Sequence, residues 1–166
     1  MARLKWWTRM VDRVLLFSSV KLMNRGTASR HAAMYRRTGG KVGGKIGEMP
    51  VLLLTTTGRK SGQPRTVPLN YLPDGKNYVV TASNSGRDEP PLWFLNLQSN
   101  PQATVQVGRV TIPVIAKEAT PEVKARLWPR LTRKARQYAE YQKLTQRDIP
   151  MVVLRPSQFS KSDRGQ

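Results

Sequence analysis

The sequence predicts an α+β protein that is mainly β, a small β-barrel with one or two inserted helices. Short strand-like runs alternate with turn signals between Val51 and Leu154, as in antiparallel sheets. Two segments carry helix signals instead, at residues 91–99 and 120–147. With 166 residues, the chain is long enough for one domain with a sizeable core.

Residues 1–30 are predicted to form a basic amphipathic helix. Apolar residues at helical spacing form one stripe, and basic residues fall on the opposite side. The longest apolar run, residues 14–17, is too short to span a bilayer. Two interpretations stay open: residues 1–25 lie on an anionic membrane surface, or the helix packs on its own domain. A secretory signal is disfavoured, because no clear small-residue cleavage site follows the apolar run.

The next segment, residues 31–48, is predicted to be a linker, because glycines crowd the stretch from Thr38 to Gly47. It is not a Walker loop, since no Gly-Lys-Ser/Thr closes it before a helix. The barrel domain is expected at residues 49–156 and a polar tail at residues 157–166.

A β-hairpin with a cationic loop opens the barrel domain. Its strands are expected at residues 51–54 and 66–72, and the loop between them holds two glycines and the cations Arg59, Lys60 and Arg65. Glycines permit a tight turn and let an anion approach the amide groups, and the cations neutralise it. Such a loop suits a phosphate. The alternative is a solvated basic hairpin.

Turn clusters and β-branched runs assign the remaining elements. We expect, in order, a turn at 73–76, a strand at 77–82, a polar loop at 83–90, a helix at 91–99, a hairpin at 103–119 and a last strand at 151–154. Thr120 as cap and Pro121 at the first helical position begin a longer helix. This helix should run to about Arg147, with a break at Pro129.

The composition narrows the chemistry. The chain has no cysteine and one histidine, so disulfides, thiolate metal sites and a histidine zinc cluster are excluded, and no metal is expected. A Ser-His-Asp or Cys-His set is disfavoured, and no carboxylate pair has a diagnostic spacing. A net charge of +19 attracts anionic ligands, nucleic acid or anionic lipid. Scarce acid–base machinery favours an enzyme whose cofactor carries the reaction.

The hairpin loop and a second block, Tyr78–Gly86 with Pro91–Leu97 and Asn100-Pro101, resemble the deazaflavin-dependent nitroreductases, also called F420H2-dependent quinone reductases. The two blocks have the order and spacing of that family, and the similarity runs from about Met34 to Pro156. The resemblance implies an FMN-binding split-barrel-like fold. It also implies an oxidoreductase that transfers a hydride from reduced coenzyme F420 to a quinone or a similar conjugated or nitro acceptor.

The resemblance further implies which residues form the site. The coenzyme-binding residues are Arg59, Lys60, Ser61 and Arg65 at the phosphate, Thr66, Val67, Pro68, Leu69 and Asn70 along the deazaflavin, Thr81, Ala82, Ser83 and Asn84 beside its ring, Leu92, Trp93, Phe94, Leu95 and Asn96 on the short helix, and Tyr138. The catalytic residues are Ser83, near the acceptor, and Tyr138 and Tyr141, which can close the pocket.

Several of these residues also have plain structural interpretations. Leu92, Phe94 and Leu95 suit a core, and Ser83 and Asn84 suit a turn. The sequence also departs from the nitroimidazole-reducing member of the family, because Asn70 and Ala135 stand where that protein has tyrosines. We therefore expect a more open or more polar pocket that reduces nitroimidazoles weakly.

Three other functions remain as alternatives. They are a split-barrel oxidoreductase that binds FMN, a coenzyme carrier without chemistry, and a basic nucleic-acid-binding β-barrel. The last is disfavoured because the aromatic residues do not cluster on one strand face. We expect a cytoplasmic protein, with the N-terminal helix as its candidate contact to the inner face of the cell membrane.

Overall fold

A computed structural model describes residues 25–157, which form an eight-stranded half-barrel sheet with four helices around it. The strands are β1 (Lys45–Ile46), β2 (Met49–Thr57), β3 (Pro64–Asn70), β4 (Leu72–Asp74), β5 (Asn77–Thr81), β6 (Gln102–Val107), β7 (Val110–Glu118) and β8 (Met151–Pro156). The helices are α1 (Arg25–Thr38), α2 (Leu92–Ser99), α3 (Pro121–Lys134) and α4 (Gln137–Lys143). A 3-10 turn covers Asn84–Gly86.

All strand pairs in this sheet are antiparallel, in the order β1-β2-β6-β7-β8-β5-β4, and β3 pairs with β2. The β2–β3 hairpin has a continuous register from Val51 opposite Asn70 to Thr57 opposite Pro64. The predicted fold class, mainly β with a split barrel and peripheral helices, is confirmed.

The period-two alternation of the strands divides the core between two faces of the sheet. Leu54, Val80 and Val152 point to one face, where Trp93 of α2 packs on them. Val79 and Val153 point to the other face and meet α3 and α4. A third, smaller cluster joins α1 to β2.

Helix α1 corrects the linker prediction, because residues 31–38 are helical. Ala32 and Tyr35 are buried against β2, so the segment has an apolar side that packs on the core. The glycine-rich stretch that follows made the whole segment resemble a linker in sequence. The Tyr35 hydroxyl donates to the Val51 carbonyl at 3.0 Å and accepts from the Gly108 amide at 2.9 Å. Most of the predicted N-terminal helix and of the polar tail lies outside the described residues.

The long helix also differs from expectation. Thr120 caps α3 as predicted, and its Oγ1 accepts from the Val123 amide. The expected break at Pro129 was wrong. The helix ends at Lys134 instead, and α4 begins at Gln137. Leu127 and Leu131 of α3 are both buried, so packing keeps the helix continuous through the proline.

An ion-pair cluster fixes α3 to β4. Arg126 binds both carboxylate oxygens of Asp74, at 2.8 and 2.9 Å, and Arg130 binds one at 3.0 Å. The Arg126 hydrogen bond is the main cause that lowers the pKa of Asp74 to about 2, and Arg130 adds to it. The native state therefore gains this stabilisation above the usual carboxyl pKa and loses it as the pH falls towards 2.

The antiparallel register gathers three connections at one end of the sheet, which we call the loop end. Thr57 pairs with Pro64, Thr56 with Ala103, and Thr81 with Met151. The β2–β3 loop, the segment after β5 and the segment before β8 extend from the same end of the sheet, because β6, β7 and β8 are consecutive antiparallel neighbours. The tight turns at residues 75–76 and 108–109 lie at the opposite end.

Candidate functional site

The β2–β3 loop forms a closed turn at the loop end. The Gly58 amide donates to the Gln63 carbonyl at 2.8 Å, and the Gly58 carbonyl accepts from the Ser61 and Gly62 amides at 3.2 and 2.7 Å. A Cβ at Gly58 would lie 2.8 Å from Ser61 Oγ and 3.1 Å from the Gln63 carbonyl. The turn thus favours glycine at position 58, because a side chain there would crowd Ser61 and Gln63.

The cations of this turn are exposed. Within residues 25–157, the side chains of Arg59 and Lys60 make no hydrogen bond or ion pair, and the Lys60 amide meets no acceptor. Arg65 contacts only Ser61, whose Oγ accepts from its Nη2 at 3.4 Å. Unpaired guanidinium and ammonium groups around an open amide fit a phosphate group.

Asn96 of α2 supports this turn from inside the protein. Its Oδ1 accepts from the Arg59 amide at 3.2 Å, and its Nδ2 donates to Thr56 Oγ1 at 3.0 Å. Asn96 and Thr56 are 5% and 2% exposed. The residue predicted to lie beside the coenzyme therefore holds the backbone that carries the cations.

The other α2 residues separate into core and surface. Trp93 and Phe94 are buried and meet edge to face, with ring centroids 6.1 Å apart. Leu95 is half-buried, whereas Leu92 is 58% exposed, so its predicted core alternative does not hold. Leu92 faces solvent in the first turn of the helix, where it is open to contact a ligand.

Strand β3 shows its predicted residues on two faces. Val67 and Leu69 pack on the barrel core. Thr66 lies on the α1 face, where its Oγ1 bonds Thr55 Oγ1 at 2.8 Å and accepts from Arg36 at 3.0 Å. One side of a flat ring cannot contact all five side chains.

The backbone edge of β3 offers a more uniform surface. Among the described strands β3 pairs with β2 alone, so half of its backbone groups point away from a partner strand. Pro68 is buried opposite Leu53. Asn70 donates to the Met49 and Ile46 carbonyls at 3.2 and 3.4 Å, so it fixes the β1–β2 turn.

The segment after β5 has an unusual backbone. Thr81, Ala82 and Ser83 are buried. Ser83 has right-handed helical angles, whereas Asn84 and Ser85 have φ values of 45° and 60°. Successive right- and left-handed residues turn their amides to one side, which creates a small anion-binding concavity. In the described part of the chain, the amides of residues 83–85 have no hydrogen-bond acceptor.

The two tyrosines of α4 pack edge to face, with ring centroids 5.9 Å apart. Tyr138 is 9% exposed, and burial raises the pKa of its hydroxyl to about 12, with a further rise from Tyr141. Burial also raises the pKa of Tyr141, and a hydrogen bond with Ser85 opposes it. Both hydroxyls are therefore proton donors at neutral pH. The Tyr138 hydroxyl has no hydrogen-bond partner among residues 25–157.

Helix α4 packs directly on the 3-10 turn. A Cβ at Gly86 would lie 2.8 Å from the Tyr141 carbonyl and 3.0 Å from Leu144 Cβ. Together with the Ser85 contact, this places Tyr141 beside the Ser83 segment. Tyr138 precedes Tyr141 by one turn of the same helix face.

Ala135 lies at the junction of α3 and α4. It is 4% exposed and packs in the cluster of Leu131 and Tyr138. The small side chain is thus in the same cluster as Tyr138, and the expectation of a more open pocket stays a prediction. Asn70 donates to backbone carbonyls.

Arg147 is a site neighbour that the sequence analysis missed. Its guanidinium donates to the carbonyls of Ala82, Ser83 and Arg87 at 2.8–2.9 Å. The two segments are more than 60 residues apart in sequence, and no local pattern signals the contact.

Within the described chain, no group of three His, Cys, Asp or Glu residues could hold a metal ion.

Comparison with known proteins agrees with this geometry. The sequence model of the family described as F420H(2)-dependent quinone reductase matches residues 27–156. The F420H(2)-dependent quinone reductase Rv1261c of Mycobacterium tuberculosis is 44% identical over 128 residues, which are 75% of this chain and 86% of that protein. The match to the family model includes residues 27–38 of α1, as expected if that helix belongs to the domain.

Two solved structures are also similar. An F420-H2 dependent reductase (FDR-A) is 37% identical, with a TM-score of 0.59, over 63% of this chain and 93% of that one. A chain described as a domain-swapped dimer is 32% identical, with a TM-score of 0.61, over 79% and 99%. The family model and the relative of 44% identity show that the chain belongs to the F420H(2)-dependent quinone reductase family.

Proposed function

We propose that this protein reduces a quinone-like acceptor with reduced coenzyme F420, bound at the loop end of the sheet. As a member of its family, the chain is an F420H2-dependent oxidoreductase, and the coenzyme predicted from the sequence is confirmed. The observation that supports the site assignment is that the cationic turn and the Ser83 segment extend from the same end of the sheet, and that Tyr141 of α4 lies beside the Ser83 segment.

The cationic turn holds the charged end of the coenzyme in this proposal. Reduced F420 supplies a hydride when bound, so the protein mainly has to bind, orient and stabilise charge. Arg59 and Lys60 reach the phosphate as unpaired cations, and Arg65 stands next to them. The net charge of +19 further favours an anionic coenzyme.

The Ser83 segment and Tyr138 serve the reacting end. A quinone that is reduced gains negative charge on an oxygen, and hydrogen-bond donors stabilise it best when they are already oriented. The amides of residues 83–85 and the protonated Tyr138 hydroxyl are such donors. Tyr141 lies beside Ser85, and the open edge of β3 provides a backbone surface for a flat ring.

Titration and turnover test the proposal together. Fluorescence quenching should show tight binding of F420 and weak binding of FMN, and F420H2 oxidation should depend on added quinone. Lys60→Ala should raise the Kd for F420 about tenfold, by about 1.5 kcal/mol, because a charge-assisted contact is lost. The maximal rate at saturating coenzyme should change little.

Lys76→Ala is the matched control, since Lys76 is exposed in the turn at the opposite end of the sheet. It removes the same charge and should leave the Kd unchanged. Preference for FMN, or equal effects of the two substitutions, would contradict the phosphate assignment. F420 binding without any turnover would instead indicate a carrier protein.

We further propose that residues 1–25 attach the protein to an anionic membrane surface. None of the helices in residues 25–157 has the length and apolarity of a membrane span. Support comes from the sequence, where cations and apolar residues alternate at helical spacing, and from the exposed α1 cations Arg30 and Arg37 that follow. Each cation near such a surface contributes roughly 1 kcal/mol, which salt reduces.

The full-length variant with Arg3→Gln, Lys5→Gln, Arg9→Gln and Arg13→Gln tests this attachment. It should sediment less with vesicles that contain anionic lipid and should bind F420 normally. Neutral vesicles provide the control, because neither protein should follow them. Equal sedimentation of the variant and the parent protein with anionic vesicles would refute the electrostatic attachment.

A further inference from the structure

Arg147 lies between α4 and β8, and within residues 25–157 its guanidinium bonds main-chain carbonyls alone. Nη2 donates to the carbonyls of Ala82 and Ser83 at 2.9 and 2.8 Å, and Nε donates to the Arg87 carbonyl at 2.9 Å. The nearby carboxylates are otherwise engaged, because Asp88 accepts from Thr145 at 2.6 Å and Asp148 pairs with Lys124. The planar fork of an arginine reaches three acceptors at once, which an ammonium group cannot reproduce.

These contacts set the direction of the loop amides. In a trans peptide, the carbonyl and the amide point to opposite sides. With the carbonyls of Ala82 and Ser83 on the guanidinium, the amides of Ser83 and Asn84 must point away from Arg147. They are the same amides that have no acceptor within the described residues.

The loop backbone needs such support. Asn84 and Ser85 both have positive φ values, which are unfavourable for residues other than glycine. Asn84 Nδ2 donates to the Glu89 carbonyl at 2.8 Å, and Thr145 holds Asp88. Arg147 is the contact that spans the loop, since it binds residues on both sides of the two strained positions.

We propose that Arg147 is a positioning residue, which holds the Ser83 loop in the conformation whose amides face the coenzyme ring and the acceptor. It acts through the loop and does not itself touch the reacting atoms. The same contacts join the loop to the segment after α4, so that the loop amides and the α4 tyrosines stay in fixed positions relative to each other. This role rests on the proposed function of the site.

Arg147→Met and Arg147→Lys test the proposal, with Arg155→Met on β8 as a control that removes an exposed cation. In coenzyme-free protein, Arg147→Met should speed amide hydrogen exchange at Gly86 and Arg87, whose amides donate within the loop, at least tenfold and leave residues 78–81 unchanged. It should lower kcat for quinone reduction about 30-fold, with less than a threefold change in the Kd for F420. Arg147→Lys should fall between the parent protein and Arg147→Met.

Ethylguanidinium in solution should restore part of the kcat of an Arg147→Ala protein, which a loss of global packing would not allow. If Arg147→Met fails to fold, the comparison of Arg147→Lys with Arg155→Met supplies the same exchange and kcat measurements. Exchange and kcat equal to those of Arg155→Met would overturn the proposal. Absent F420 binding by the parent protein would instead contradict the proposed function, while hydrogen exchange would still report on the Arg147 contact.

Discussion

Replacing Asn96 with leucine should destabilise the protein by about 3 kcal/mol and weaken F420 binding roughly tenfold. Leucine is similar in size, so the loss comes from polar groups that are left unpaired. The buried Thr56 hydroxyl loses its donor, and the Arg59 amide loses its acceptor. Each unsatisfied buried group costs about 1–3 kcal/mol. Urea unfolding and fluorescence titration measure the two effects.

Two further variants make this result specific. Gln98→Leu introduces leucine on the exposed side of the same helix and should change neither quantity. Thr56→Val added to Asn96→Leu should recover part of the stability, because both members of the buried pair are then apolar. It should not recover F420 affinity, since the Arg59 amide stays unsupported. Unchanged affinity in Asn96→Leu would mean that Asn96 supports the core and not the phosphate turn.

Replacing Tyr138 with phenylalanine should lower kcat for quinone reduction by about 10- to 100-fold. The hydroxyl is a protonated donor near the Ser83 loop, and a hydrogen bond to a charged group contributes about 1.5–3 kcal/mol. The Kd for F420 should stay nearly constant, because the phosphate turn is unaltered. Tyr78→Phe is the control, since Tyr78 contacts Tyr71 at the opposite end of β5. An unchanged kcat would show that Tyr138 acts only as a wall.

The same residue predicts a pH effect on stability. Burial raises the pKa of Tyr138 to about 12 from a usual value of 10.0, so the native state favours the protonated hydroxyl. Its contribution is complete below pH 10 and is lost as the pH rises from 10 to about 12. Denaturant unfolding should therefore show a steeper alkaline loss in the parent protein than in Tyr138→Phe. Parallel curves would contradict the buried protonated state.

Local signals were sufficient for most of the sheet. The apolar run before Gly58, the Pro-Asp-Gly turn after Leu72 and the Thr120-Pro121 start of α3 each depend on neighbours in sequence, and the structure has all three. Helix α1 was missed because glycines at residues 39–47 follow it closely, although Ala32 and Tyr35 give it a buried side. The helix through Pro129 was missed because tertiary packing outweighs the local penalty there.

Some parts of the candidate site could likewise be predicted from local sequence, and others could not. The cationic turn can be recognised from its composition, because the chain supplies its glycines and cations in one stretch. The contacts of Arg147 with the Ser83 loop, and of Asn96 with Thr56, join residues that are 40 or more positions apart. Such contacts depend on how β5, α2 and β8 meet in space, which no short window of sequence contains.

The separation of the two ends of the sheet has a practical consequence for engineering. The turn at Gly75-Lys76 joins β4 to β5 far from the connections at residues 58–63, 82–91 and 144–150. A Cβ at Gly75 would meet no atom within 4 Å, and Lys76 is exposed. A peptide tag, a surface anchor or an inserted reporter domain can therefore enter the chain here. Under the proposed function, exchanging the loops at the other end should meanwhile alter acceptor preference, because the strands between the two ends preserve the scaffold.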